Sequence, residues 1–240
     1  MVDGRIIELL EAYLKAGVME DGKGWQPTEE GTPQGSVISP MLANIYLNPL
    51  DHLMEQGGYE MVRYADDFVV LCRSQEEAKA VLAKITQWVE QAGLKLHPEK
   101  TRLVDASQKG GFDFLGYHFE SYQNGSGKKW PRKKSVLKFR QSIREKTRRM
   151  SGESMQEIVN DINPKIRGWY GYFKNSIPSA MRDADGFIRR RLRSILRWRH
   201  KRKGISKGRE NPEYPNQYFD GLGLFCMEKA QLQDCNPINH

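Results

Sequence analysis

Two adjacent acids, Asp66 and Asp67, stand between two short apolar runs, Met61-Val62-Arg63-Tyr64 and Phe68-Val69-Val70-Leu71. The runs are rich in Val, Tyr and Phe and have strand length, and the break between them leaves room only for a tight turn, so the segment predicts a β-hairpin. Such turns ordinarily take Asn-Gly or Asp-Gly, because their central residues need positive φ. Here two carboxylates sit side by side without a glycine, and their repulsion needs a counter-charge. A divalent cation supplies one: hard oxygen ligands gathered on Mg²⁺, with phosphate oxygens completing the shell, are how phosphoryl-transfer sites are built. An exposed acidic turn with no ligand is the competing reading, and the pair by itself weighs evenly between the two.

The elements around the hairpin must position it. Residues 5–16 predict a helix with Ile6, Leu9, Leu10, Tyr13 and Leu14 on one stripe and Gly17 as its stop. Gly22 to Gly35 is loop-like and delivers Pro33-Gln34-Gly35, where the glycine permits close backbone approach and the glutamine can hydrogen-bond a base edge or sugar. Ser39-Pro40 predicts the start of a helix reaching about Glu55, which Pro49 should bend or break. After the hairpin, Ser74 to Glu77 caps an amphipathic helix through Ala92, with Val81, Leu82, Ile85, Trp88 and Val89 inward and Gly93 as its end. Leu94 and Leu96 begin a short strand that His97-Pro98 turns, and Lys100 follows. Arg102–Ala106 and Phe112–Phe119 predict a second hairpin across Gly110-Gly111.

In order, these motifs carry a resemblance. Pro33-Gln34-Gly35 entering a helix, Tyr64-Ala65-Asp66-Asp67 on a hairpin, Gly93-Leu94-Lys95-Leu96 to Lys100-Thr101, and Phe112-Asp113-Phe114-Leu115-Gly116-Tyr117 are similar to the palm of group II intron reverse transcriptases. Arg167-Gly168-Trp169-Tyr170-Gly171-Tyr172-Phe173 resembles the thumb, or maturase domain, of the same proteins, so the likeness covers nearly the whole chain. The resemblance implies Asp66 and Asp67 as metal ligands and catalytic residues, and Lys100 near the triphosphate, where it could protonate the leaving pyrophosphate. It implies Pro33, Gln34, Gly35, Tyr64 and Ala65 against nucleotide and template, and Phe114, Leu115 and Gly116 as primer grip. It also implies a fingers region and a first catalytic aspartate upstream of the Pro-Gln-Gly turn, for which this sequence leaves no room. The two-metal Mg²⁺ site is therefore expected to be incomplete in this chain, which reads as truncated, and a separate upstream polypeptide is a candidate to complete it.

Charge is segregated. Residues 128–210 carry 26 Lys and Arg against 7 Asp and Glu, whereas residues 1–127 carry 11 against 19, so the later segment reads as a polyanion-binding module. Nucleic acid is the expected partner. Three or four helices are predicted there: one marked by Val136, Phe139, Ile143 and Met150, one capped by Ser154 to Glu157, one opened by Pro164, and one from about Ala184 to His200. The spacing of Trp169, Tyr170 and Phe173 favours core packing over base stacking. Arg189, Arg190, Arg193 and Arg197, with Lys133 and Lys134, are the predicted RNA contacts, since guanidinium forks suit phosphate. Tyr214 to Phe225 resembles the ending of many bacterial members of the family.

The expected fold is α+β: a partial reverse-transcriptase palm with an antiparallel sheet over 1–121, a linker over 122–134, an all-α thumb over 135–205 and a tail over 206–240. With 38% apolar and 10% aromatic residues a core is affordable, and no apolar run approaches membrane-spanning length. Met1-Val2-Asp3-Gly4-Arg5 leads straight into a mixed-charge helix, so no secretory signal is expected. Cys72, Cys226 and Cys235 are odd in number without CxxC spacing, which favours a reduced, cytoplasmic setting over a disulfide framework or zinc site. The expected function is Mg²⁺-dependent RNA-directed DNA synthesis by a mobile-element protein, with dNTP, RNA template, DNA primer and structured intron RNA as partners. The competing expectation is a catalytically inactive fragment that only binds RNA and helps splicing, and an inert truncated reading frame is a third.

Overall fold

The computed structural model describes residues 3–20, 22, 24–26, 36–106, 108, 110–121, 127–149, 152–201 and 213–235. Pro33, Gln34 and Gly35 lie outside the described residues. The chain divides into two compact units, Met1–Leu103 and Val104–His240, and the fold is α+β with small antiparallel sheets.

In the first unit, α1 (Gly4–Lys15) is capped by the Asp3 side chain, which accepts from the Arg5 amide at 3.0 Å, and Gly17 follows at φ 67. No residue of α1 is buried, and its apolar stripe of Ile6, Leu9 and Tyr13 is exposed. A short ribbon, β1 (Val18–Glu20) and β2 (Gly24–Gln26), turns back on it. Helix α2 (Ser39–Gln56) runs on through Pro49, where a bend or break was expected; fully buried Leu50 and Met54 anchor its second half. Strands β3 (Glu60–Tyr64) and β4 (Asp67–Leu71) pair antiparallel as the expected hairpin, from Glu60 opposite Leu71 to Tyr64 opposite Asp67. Met61, Phe68 and Val70 pack against a core of Leu50, Met54, Val81, Ile85 and Val89, the last three from α3 (Gln75–Gln91). At the start of α3 the Ser74 side chain accepts from the Glu77 amide at 3.1 Å. The strand expected at Leu94 and Leu96 does not form: the Leu94 amide is drawn back to the Val89 carbonyl at 2.9 Å, closing the helix end around Gly93.

The second unit holds a three-stranded sheet, β5 (Phe112–Phe114), β6 (Tyr117–Ser121) and β7 (Gly127–Pro131), in the order β5-β6-β7. Its hairpin turns at Leu115-Gly116, not at Gly110-Gly111. Cross-strand pairing of Phe112 with Phe119, rings stacked at 5.2 Å, fixes that register. The stretch expected as a linker is, where described, β7 and the start of α4 (Lys133–Lys146). The strand packs on β6 through its side chains: Trp130 meets His118 at 4.9 Å, and the Lys129 ammonium lies over the Tyr117 ring at 5.4 Å.

Helix α5 (Met155–Phe173) starts in a full capping box of Ser154 and Glu157 and continues through Pro164, where a separate helix was expected to open. The unbroken buried row Ile158, Ile162, Ile166, Tyr170 and Phe173 explains why: each turn contributes a core residue on one face, which outweighs one missing amide on the exposed side. Helix α6 (Pro178–Arg199) contributes Met181, Ile188, Leu192 and Ile195. The expected tail instead closes this core, since α7 (Asn216–Gly221) and α8 (Met227–Cys235) bury Phe219 and Met227 completely. Asp185 of α6 is buried and accepts from the Met227 and Glu228 amides at 3.1 and 3.0 Å, fastening the start of α8; burial pushes its pKa up. No helix among the described residues is long and apolar enough to cross a membrane.

Truncating the fully buried Ile162 to alanine should lower the unfolding free energy of the second unit by about 2–5 kcal/mol, from lost transfer energy plus a cavity, as read from urea denaturation. Pro164→Ala, on the exposed side of the same helix, should leave that value unchanged or raise it.

Candidate functional site

The hairpin presents its two acids on a strained turn. With Tyr64 paired to Asp67, the central residues are Ala65 and Asp66, and Ala65 has φ 53. Positive φ at the first central position is where type II′ turns place glycine, and a side chain there costs about 1–2 kcal/mol. Asp66 and Asp67 are both exposed, and no described residue engages either carboxylate.

A guanidinium holds this turn from beneath. Arg63 occupies an inward-facing position of β3, with only 10% of its side chain exposed. Its Nε donates to Oδ1 of Asp51 at 2.7 Å and its Nη2 to Oδ2 of the same carboxylate, a two-pronged pair anchored on α2. Its Nη1 donates to Oδ1 of Asn44 at 2.9 Å and to the Ala65 carbonyl at 2.8 Å. The side-chain hydrogen bonds to Asp51 raise the Arg63 pKa against the opposing effect of burial. Hydrogen bonds to a charged donor contribute about 1.5–3 kcal/mol each, enough to outweigh the strain at Ala65. Sequence reasoning did not include Arg63, Asp51 and Asn44 in the site. The signal was present, because strict alternation puts Arg63 beside Met61 on the core face, where a charge requires a partner.

Of the other predicted residues, Tyr64 and Ala65 share this turn, and Tyr64 is exposed. Lys100 stands apart on an exposed turn where the His97 carbonyl accepts from the Lys100 and Thr101 amides at 3.1 and 2.9 Å. Phe114, Leu115 and Gly116 lie in the second unit, on the β5–β6 turn, where Leu115 has φ 45 and Gly116 φ 79. Both central residues are left-handed, the pattern of a type I′ turn, with leucine where asparagine is preferred. This turn too is held from outside: Tyr172 Oη donates to the Leu115 carbonyl at 2.7 Å, and the Gly116 carbonyl accepts from the Arg132 amide at 2.9 Å and Ser135 Oγ at 3.1 Å.

The predicted RNA contacts divide. Arg189 and Arg193 are turned into the core, which corrects their assignment to an outer surface. Arg189 is 9% exposed and donates to Cys226 Sγ at 3.1 Å beside Asp185. Arg193 is 5% exposed, donates to the Tyr214 carbonyl at 2.9 Å and Asn216 Oδ1 at 2.7 Å, and lies over the Phe219 ring. Asp185, Arg189 and Arg193 recur every fourth residue, in line with the buried face of α6, so the inward row was legible in the spacing. Arg197 is half-buried, whereas Arg190, Lys133 and Lys134 are exposed. Lys138, Arg144 and Arg148 extend the exposed basic side of α4 and its end. Trp169, Tyr170 and Phe173 pack in the core as their spacing implied.

Asp66 and Asp67 fit a divalent cation in donor chemistry, as exposed hard-oxygen ligands engaged by no described residue. Among the described residues no group of three or more His, Cys, Asp or Glu side chains is placed to share a metal ion.

Comparison with known proteins bears on both units. Residues 3–119 match the family model described as reverse transcriptase (RNA-dependent DNA polymerase), and residues 136–213 match that of the group II intron maturase-specific domain. The group II intron-encoded protein LtrA of Lactococcus lactis subsp. cremoris is 46% identical over 22% of this chain and 9% of its own length. A protein of Schizosaccharomyces pombe described as an uncharacterized 91 kDa protein in the cob intron is 27% identical over 43% of this chain and 20% of itself. Protein YkfC of Escherichia coli is 29% identical over 48% of this chain and 39% of itself. In each case the match spans well under half of the relative's length.

Arg193→Gln should destabilise the second unit by about 3 kcal/mol in urea denaturation, since it breaks buried charged hydrogen bonds, while exposed Arg190→Gln should stay within about 0.5 kcal/mol of the parent chain.

Proposed function

The chain belongs to the group II intron-encoded reverse transcriptase and maturase family, and from that membership we propose that its first unit serves RNA-directed DNA synthesis while its second binds structured intron RNA. The observation that carries the reading is the pair of exposed, unengaged carboxylates on a turn that a partly buried Arg63–Asp51 pair holds in a strained conformation, within the segment matching the reverse transcriptase model.

In this reading Asp66 and Asp67 hold Mg²⁺, which when bound supplies charge neutralisation at the triphosphate and lowers the pKa of the primer hydroxyl. Asp66 sits in the turn itself and is the principal ligand; Asp67 begins β4, pairs with Tyr64 and is the lesser partner. Arg63 keeps the turn fixed without touching substrate. Tyr64 and Ala65, with Pro33, Gln34 and Gly35, serve nucleotide and template, Lys100 donates a proton toward the leaving pyrophosphate, and Phe114, Leu115 and Gly116 contact the primer. Two-metal chemistry requires a further carboxylate beside this pair.

A second reading is favoured by the basic side of α4. Lys133 and Lys134 occupy the first turn, where the helix macrodipole disfavours cations, and that turn has neither an acid nor a side-chain cap. These lysines work against helix stability, so phosphate binding is the better account of them, and it holds whether or not the chain polymerises. RNA binding of this kind releases counterions, with a log–log salt slope near −0.7 to −0.9 per phosphate contacted.

Primer extension on an RNA template tests the catalytic reading: the full chain alone should give no product, whereas the chain supplied with an upstream reverse-transcriptase fragment should extend, losing activity in Asp66→Ala more completely than in Asp67→Asn. Extension that survives Asp66→Ala would remove Asp66 from the metal site. For the RNA reading, Lys133→Gln with Lys134→Gln should weaken binding to a structured intron RNA and reduce the salt slope by about one to two units, at unchanged helicity. An unchanged slope would move the docking surface off α4.

A further inference from the structure

The primer-contacting assignment of Phe114-Leu115-Gly116 leaves open what fixes that turn's shape. Strand β5 is three residues long and pairs only through Phe112, Asp113 and Phe114, a short ladder for a turn that places leucine at φ 45. On strand pairing alone the leucine would relax toward a commoner backbone region, because the left-handed position costs it about 1–2 kcal/mol.

The bonds that prevent this come from the helices. Tyr172 stands in the last turn of α5 and is 55% exposed as a residue, yet its hydroxyl is directed to the Leu115 carbonyl at 2.7 Å. Tyr117, the first residue of β6, returns the contact, since its hydroxyl donates to the Tyr172 carbonyl. That carbonyl is one of the last four of the helix, which have no amide partner within it. Helix end and turn thus satisfy each other's unpaired carbonyls, and the two rings lie 5.9 Å apart, nearly parallel. Burial raises the Tyr117 pKa, so its hydroxyl stays a donor over the ordinary pH range. Ser135 and the Arg132 amide hold the neighbouring Gly116 carbonyl from the start of α4, one residue from Lys134.

We propose that Tyr172 is a positioning residue: through its hydroxyl, the maturase-type helix α5 sets the left-handed turn at Leu115-Gly116 in the shape that receives the primer strand. Tyr172 is the second tyrosine of the Arg-Gly-Trp-Tyr-Gly-Tyr-Phe motif, whose Trp169, Tyr170 and Phe173 go to the core, so the arrangement accounts for the one large aromatic of that motif the core leaves exposed. The primer-contacting part rests on the reading of this turn given above; the hold on the turn does not.

Tyr172→Phe keeps the ring and removes only the hydroxyl. In the full chain, amide hydrogen exchange over residues 112–121 should speed up about five- to tenfold, the equivalent of one lost hydrogen bond. Affinity for a DNA primer annealed to an RNA template, read by fluorescence anisotropy, should fall by about the same factor, while affinity for a structured RNA stays within about twofold. Adding Leu115→Asn to Tyr172→Phe creates an Asn-Gly pair that adopts this turn unaided, so exchange should slow again toward the parent rate. Unchanged exchange in Tyr172→Phe overturns the proposal. So does faster exchange that Leu115→Asn does not reverse, since this would mean that Tyr172 supports the sheet generally and not the turn. Restored exchange with an unaltered duplex affinity overturns its link to the primer. Failure of the parent chain to bind the duplex refutes the primer reading instead, and the exchange measurements then decide the hold on the turn by themselves.

Discussion

The paired acids depend on a partly buried guanidinium. A charge on the core face of β3 would cost several kcal/mol if left unpaired, and Arg63 avoids that cost by gripping both oxygens of Asp51 on α2, the Asn44 side chain and the Ala65 carbonyl. The same four contacts register β3 against α2 and close the hairpin turn. The strain of Ala65 and the mutual repulsion of Asp66 and Asp67 are both unfavourable within the isolated hairpin. Both become affordable because the turn's backbone is tied to a helix whose own residues Leu50 and Met54 are fully buried.

The Leu115-Gly116 turn follows the same logic with a neutral donor. There, too, a non-glycine residue at positive φ has its carbonyl gripped by a side chain, but the donor, Tyr172, is distant in sequence, whereas Arg63 is two residues from Ala65. In both turns residues usually chosen for easy turning are replaced by Ala or Leu, and scaffold hydrogen bonds compensate. A turn built in this way is rigid where an Asn-Gly turn would be merely permissive. Rigidity is what an element needs if it must meet a ligand in one geometry.

Most of the architecture was readable in the sequence wherever one period ruled a segment. The strand-length apolar runs around Asp66-Asp67 gave the hairpin, Ser74 with Glu77 gave the start of α3, and the Trp169, Tyr170 and Phe173 spacing gave a packed helix face. The misreadings arose where a local signal competed with packing at a distance. Gly110-Gly111 is a good turn by itself, but stacking of Phe112 on Phe119 chose Leu115-Gly116. Pro164 is a helix breaker by itself, but a continuous buried row carried α5 past it. Residues 127–131 read as a linker by composition, yet aromatic neighbours on β6 make them a strand. Arg189 and Arg193 read as outer charges because arginine is usually solvated, although their four-residue spacing from buried Asp185 pointed inward. The Arg63 clamp needed both the alternation of β3 and the position of Asp51, and only the first is local.

The central claim is that Arg63 keeps Ala65 in its strained turn, and a double-mutant cycle measures it. Unfolding free energies of the parent chain, Ala65→Gly, Arg63→Gln and the double variant would be compared in urea. Glycine relieves strain only where strain is maintained, and its effect on the unfolded chain cancels across the cycle. The account predicts that Ala65→Gly is more stabilising with Arg63 present than with Gln at that position, by at least about 0.5 kcal/mol, because without the clamp the turn has already relaxed. Equal effects of Ala65→Gly in the two backgrounds would contradict it.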